Sequence, residues 1–86
     1  MERQEMNLQL VAVLQEWDPF GWGRDAYETE IVDCIIALDE IDDPDNLARK
    51  IQGIYEFSFE EIIDISRCRQ IAEKLLLIKN NASCSF

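Results

Sequence analysis

The residues of this chain best suited to chemistry are its carboxylates, three thiols and a run of aromatic rings; histidine is absent altogether. Carboxylates can ligate a metal or act as an acid–base pair. A calcium loop of the EF-hand kind needs oxygen ligands at alternate positions, then a glycine and a late glutamate. Counted from Asp39 the third position is Ile41, and counted from Asp43 the fifth is Leu47, so the spacing fails. Zinc and iron sites call for imidazoles or clustered thiolates, and Cys34, Cys68 and Cys84 are scattered along the chain. That odd set fits neither a disulfide framework nor a CxxC pair. Cys34 falls in register with Ile31 and Leu38, and Cys68 with Ile65, Ala72 and Leu75, as small core hydrophobes do. A nucleophilic thiolate would lack its histidine base. Cys84 lies in a polar tail, where exposure is expected. No metal, no cofactor and no catalytic residue is expected.

Asp18 is the one carboxylate whose sequence neighbours, Trp17 and Phe20, could raise its pKa toward general-acid chemistry, but a second carboxylate to complete the pair is missing. Its structural reading is simpler: an Asp before a Pro accepts backbone hydrogen bonds in a turn. Gly21-Trp22-Gly23 opens like a GxGxxG phosphate loop, yet it follows a helix instead of a strand and position 26 is alanine. The stretch from Trp17 to Tyr27 holds Trp17, Phe20, Trp22 and Tyr27, half of the aromatic residues. Trp17 and Tyr27 belong to helical stripes and should close the end of a bundle. Phe20 and Trp22 are harder to place inside, and exposed aromatics on a rigid turn are typical anchors for a protein partner.

The elements that hold these residues are read from periodicity. Met6, Leu10, Val13, Leu14 and Trp17 recur every three or four positions, predicting a helix over 4–17 that Pro19 ends by disfavouring helical geometry at Asp18. A second helix is expected over 25–41, with Tyr27, Ile31, Cys34, Ile35, Leu38 and Ile41 as its apolar stripe and Glu28, Glu30, Asp33, Asp39 and Glu40 on the opposite face. Asp43 is a good N-cap and Pro44 suits the first helical position. They open a third helix over 44–56 that buries Leu47, Ile51, Ile54 and Tyr55. Gly53 in that helix either weakens its last turns or admits a close neighbour. Ser58-Phe59-Glu60-Glu61 is a capping box with Phe57 and Ile62 at the staple positions. It predicts a fourth helix over 59–79 that buries Ile62, Ile65, Cys68, Ile71, Ala72, Leu75 and Ile78. Asn80 or Asn81 should take the left-handed stop. The result is an all-α fold, a compact and mostly antiparallel bundle of four short helices over 1–81, with a frayed tail over 82–86.

Length and charge set the outer bounds. Eighty-six residues make one domain with little room for a deep pocket, and 48% hydrophobic with 30% charged residues is the composition of a folded chain. The formal net charge of −10 is the wrong sign for nucleic acid and for anionic membrane surfaces. No apolar run approaches the roughly 18 residues of a membrane span. Met1 to Glu5 has no secretory n-region, so a cytoplasmic protein is expected. The charge is local: residues 25–43 carry eight acids and no base, whereas 44–86 are balanced.

The stretch Leu14-Gln15-Glu16-Trp17-Asp18-Pro19-Phe20-Gly21, followed by Tyr27-Glu28-Thr29-Glu30-Ile31, resembles the YugE-like family of small uncharacterised Firmicute proteins: a helix ending in Trp-Asp-Pro, a glycine soon after, and a tyrosine with acids opening the next helix. The resemblance implies an all-α fold and a cytosolic setting and carries over no catalytic residue. Proteins with similar turns look like immunity proteins encoded beside bacterial toxins. The sequence therefore points first to a non-enzymatic interaction module. Its candidate binding residues are Asp18, Phe20, Trp22, Glu28, Glu30 and Asp33, and the one-sided field would steer a basic protein partner. The alternatives are a toxin-immunity-like protein, as the likeness of the turn implies, or a homo-oligomer, paired through the aromatic turn or through a fourth helix whose Ile62, Ile63, Ile65, Leu75, Leu76, Leu77 and Ile78 exceed one stripe.

Overall fold

Apolar residues at three- and four-residue spacing do fold into helices. The computed structural model, which describes residues 3–84, places α1 over Arg3–Trp17, a 3-10 helix over Arg24–Tyr27, α2 over Glu28–Glu40, α3 over Pro44–Phe59 and α4 over Ile65–Cys84. Among the described residues there is no strand, and no helix is long and apolar enough to cross a membrane. Each α-helix packs on the next and α1 closes back onto α4, with α3 against α4 the most extensive pairing. The core they enclose is built from Leu10 and Leu14, then Tyr27, Ile31, Cys34 and Leu38, then Leu47, Ile51 and Tyr55, then Ile63, Cys68, Ile71, Ala72 and Leu75. Cys34 and Cys68 sit in it as small apolar groups. Burial raises both thiols, to about 12 and about 11, which leaves them protonated and unreactive. The side chain of Cys84 lies outside the described residues.

Local signals decide some ends and tertiary packing decides others. The Asp43 side chain accepts a hydrogen bond from the Asn46 amide at 2.9 Å with Pro44 in the first turn of α3, as the sequence predicts. The second helix, expected from Asp25, begins as a 3-10 turn and becomes α-helical only at Glu28. The larger correction is at the third and fourth helices. Ser58 caps nothing: it lies inside α3, which continues through Phe59 and stops at Glu60 in the left-handed conformation. The physical reason is Phe59, four residues after Tyr55 and on the same face. Its ring packs 5.4 Å from Phe20, 5.1 Å from Trp22 and 5.7 Å from Tyr27, contacts that outweigh a cap worth about 1 kcal/mol. The fourth helix starts instead behind Asp64, whose Oδ1 accepts from the Ser66 amide at 3.0 Å. Ile62 and Ile65, expected inside, are exposed, and Ile63 is buried in their place with its carbonyl accepting from Gln52 Nε2 at 2.7 Å. α4 runs past Asn80 and Asn81 to Cys84, so the expected stop is not used. Ser85 and Phe86, the end of the expected tail, lie outside the described residues.

Candidate functional site

The turn after α1 is built around one carboxylate. Pro19 drives Asp18 out of the helical region, to φ 35°, and Gly21 and Gly23 supply two further positive φ values that a turn this tight requires. Asp18 then faces the inside of the turn. Its Oδ1 accepts from the Trp22 amide at 2.9 Å and from the Tyr27 hydroxyl at 2.5 Å, and its Oδ2 accepts from the Gly23 amide at 3.2 Å. The Tyr27 hydroxyl in turn accepts from the Phe20 amide at 3.2 Å and, more weakly, from the Trp22 amide at 3.4 Å. Arg67 on α4 donates to the Pro19 carbonyl at 3.4 Å and braces the turn from outside.

Donors that converge on a carboxylate favour its charged form. The Tyr27 hydrogen bond, helped by the Gly23 and Trp22 amides, holds Asp18 below the usual aspartate value, while burial and then Asp18 itself push the Tyr27 hydroxyl up. A lowered carboxyl is the opposite of what a general acid at neutral pH needs. Asp18, a candidate for partner binding, is committed to its own turn, as expected of an Asp before Pro.

The aromatic residues gather over this turn. Trp17, Phe20, Trp22, Tyr27, Tyr55 and Phe59 form one connected cluster, with Trp17 edge-on to Tyr55 at 5.3 Å and Phe20 on Trp22 at 4.8 Å. Tyr27 and Tyr55 are fully buried and Trp17 partly so. Phe20, expected to be hard to place inside, is half-buried because α3 brings Phe59 and Tyr55 to it. Trp22 keeps 52% of its surface exposed and is the one ring of the turn offered to solvent. Tyr55 differs from Tyr27 in one respect: its hydroxyl is buried with no hydrogen-bond partner. Burial drives it strongly upward, so it stays protonated.

The acids of α2 are placed differently. On the 3.6-residue repeat, Val32 and Ile36 lie along the middle of the outward face, with Glu28 and Asp39 on one side and Asp33 and Glu40 on the other. Val32 is 55% and Ile36 56% exposed, and Glu28, Asp33 and Glu40 are exposed beside them. Glu30 does not belong to this face: it is only 7% exposed, because Tyr27, Glu30, Ile31 and Cys34 follow the spacing of a single buried stripe. That spacing was legible in the sequence, and so was the pair Val32 and Ile36, four residues apart opposite the stripe. A shallow groove of about 350 Å³ runs beside the pair toward α3, lined by Asp33, Ile36, Ala37, Glu40, Lys50 and Ile54. A second groove, of about 400 Å³, lies between α1 and α4, lined by Trp17, Gln70, Ile71, Glu73, Lys74 and Leu77. Among the described residues no three of Cys, Asp or Glu come together as a metal site. Two of the sequence candidates, Glu28 and Asp33, thus lie on one open face; Asp18, Phe20 and Trp22 belong to the closed turn, where Trp22 is the one exposed ring; Glu30 belongs to neither.

Three likenesses to known proteins bear on this arrangement. A family model described as a domain of unknown function, DUF1871, matches residues 9–85. The uncharacterized protein YugE of Bacillus subtilis (strain 168) is 44% identical over 85 residues, which is 99% of this chain and 99% of that one. A crystal structure from Bacillus stearothermophilus shares 42% identity and a TM-score of 0.90, over 92% of this chain and 98% of its own.

Proposed function

The chain belongs to the DUF1871 family, and from that premise we propose that it is a non-enzymatic interaction module whose outward α2 face docks a cationic protein segment. The observation that carries this reading is the composition of that face: two aliphatic side chains more than half exposed, flanked on both sides by carboxylates, within a stretch of eight acids and no base. Single exposed aliphatics are ordinary on a protein surface; what supports docking here is that two of them stand one helical turn apart inside a carboxylate border, the apolar centre and charged rim of an interface. The rim selects the sign of the partner and speeds its approach; Val32 and Ile36 supply surface that association removes from water. A basic amphipathic helix, with aliphatic residues on one side and lysine or arginine beside them, is complementary in both respects. The turn supports this reading indirectly, since Asp18 and Tyr27 satisfy each other and leave only Trp22 outward.

The over-apolar fourth helix favours self-association less than its sequence suggests, because Ile63, Leu75 and Leu76 are core residues and Leu77 stands exposed apart from Ile62 and Ile65. The test uses a fluorescent lysine-rich amphipathic helical peptide and its glutamine-substituted twin. Anisotropy titrations should show binding of the lysine peptide that weakens steeply from low to physiological salt. Glu28→Lys with Asp33→Lys should abolish binding, and Val32→Ser with Ile36→Ser should weaken it about tenfold or more at every salt concentration. Equal binding of both peptides, or indifference to the charge reversal, would refute the reading.

A further inference from the structure

Residues 57–64 carry the local signals for one helix boundary and fold with another. Ser58-Phe59-Glu60-Glu61 is a complete capping box, and the residues that would staple it shut are left in solvent, Phe57 91% and Ile62 70% exposed. α3 instead ends at Glu60, held at φ 57°, a conformation costly for a residue with a Cβ. Gly53, in the second half of α3, has no atom within 4 Å of the place a Cβ would occupy and no left-handed φ. It serves neither a close approach nor a turn; its physical effect is to make the last turns of α3 easier to unwind.

We infer that the α3–α4 corner is a two-state hinge. In the minor state the last turn of α3 unwinds and α4 grows backward to Phe59, capped by Ser58 and Glu61 and stapled by Phe57 against Ile62. The major state is held by Phe59 in the aromatic cluster and by Ile63, buried and tied to Gln52. The two states exchange one pair of packed apolar side chains, partly buried Phe59 and buried Ile63, for another. Phe57 and Ile62 come together as Phe59 and Ile63 are released, and residues 60–64 become helical while Phe57 and Ser58 leave the helix. Local and tertiary preferences are opposed here, which keeps the gap between the states small enough for both to be populated. Because Phe59 touches Trp22 and Tyr27, its departure uncovers the outer side of the aromatic turn.

Relaxation-dispersion and saturation-transfer NMR on the full chain read the hinge directly. The expected result is one shared exchange process over 57–64, with minor-state Cα shifts helical at 61–64 and non-helical at Phe57 and Ser58. Ile62→Pro keeps the major state, in which residue 62 is exposed and non-helical. It cannot supply the amide that a helix starting at Phe59 needs there, so the exchange should vanish. Glu60→Gly relieves the left-handed cap and should lower the minor population roughly fivefold. Random-coil minor-state shifts at 61–64, which mark simple fraying, would overturn the inference. So would the absence of exchange in 57–64, or exchange that persists in Ile62→Pro.

Discussion

At the turn, the Asp18 carboxylate points inward and receives one hydroxyl and two amide protons, while on α2 the carboxylates of Glu28 and Asp33 point outward around two exposed aliphatic residues. The two regions adjoin in sequence and are both acidic and apolar, so composition does not separate them. Backbone geometry does. Pro19 and two glycines fold the turn back on its own acid, and Tyr27 closes it; a regular helix does not fold back in this way, and it leaves Glu28 and Asp33 exposed. The same residue types become structure in one place and surface in the other. A carboxylate is available to a partner only where the local backbone leaves its oxygens unclaimed.

The sharpest way to break that contrast compares two buried tyrosines. Tyr27→Phe removes a hydroxyl that donates to Asp18 and accepts from backbone amides, and should cost about 1–3 kcal/mol of stability in urea unfolding. Tyr55→Phe removes a buried hydroxyl with no partner and should be neutral or mildly stabilising. Equal losses would mean that ring packing, and not the hydrogen-bonded turn, carries the region. A smaller effect comes from pH. Asp18 is held below its unfolded value, so its contribution is fully present above about pH 4 and is lost as pH falls through the folded value. Asp18→Asn should be the less stable protein at neutral pH and should show a flatter acid limb than wild type. A limb of unchanged slope would remove Asp18 from the account. Smallest of all, Glu28→Gln and Asp33→Asn should each change stability by no more than about 0.5 kcal/mol. A large loss from either would make the α2 face structural, like the turn.

Much of this was legible in the sequence where the signal is local. Asp43 and Pro44 start α3 as expected, because cap and first turn satisfy each other within four residues. The stripe of α2 is legible from its spacing, and Glu30 joins it by its position beside Ile31 although its charge suggests the outward face. The capping box at Ser58 was misleading for the opposite reason. Nothing near it in sequence shows that Phe59 will meet Phe20, Trp22 and Tyr27, which α1 and the turn bring from far along the chain. The inward aim of Asp18 was anticipated by Pro19; its closure by Tyr27 depends on a 3-10 turn that periodicity does not reveal. Val32 and Ile36 were visible, but a pair of aliphatics on an acidic face gains meaning only once the helix is known to leave that face uncovered.

The most direct test maps where a cation-bearing partner lands. With the lysine-rich amphipathic peptide added to labelled protein at low salt, amide shifts should concentrate on Glu28, Val32, Asp33, Ile36 and Glu40, leave Asp18 to Gly23 in place, and fade as salt is raised. Shifts centred on Asp18 to Gly23, or shifts on α2 that salt does not weaken, would contradict the division between a closed turn and an open face.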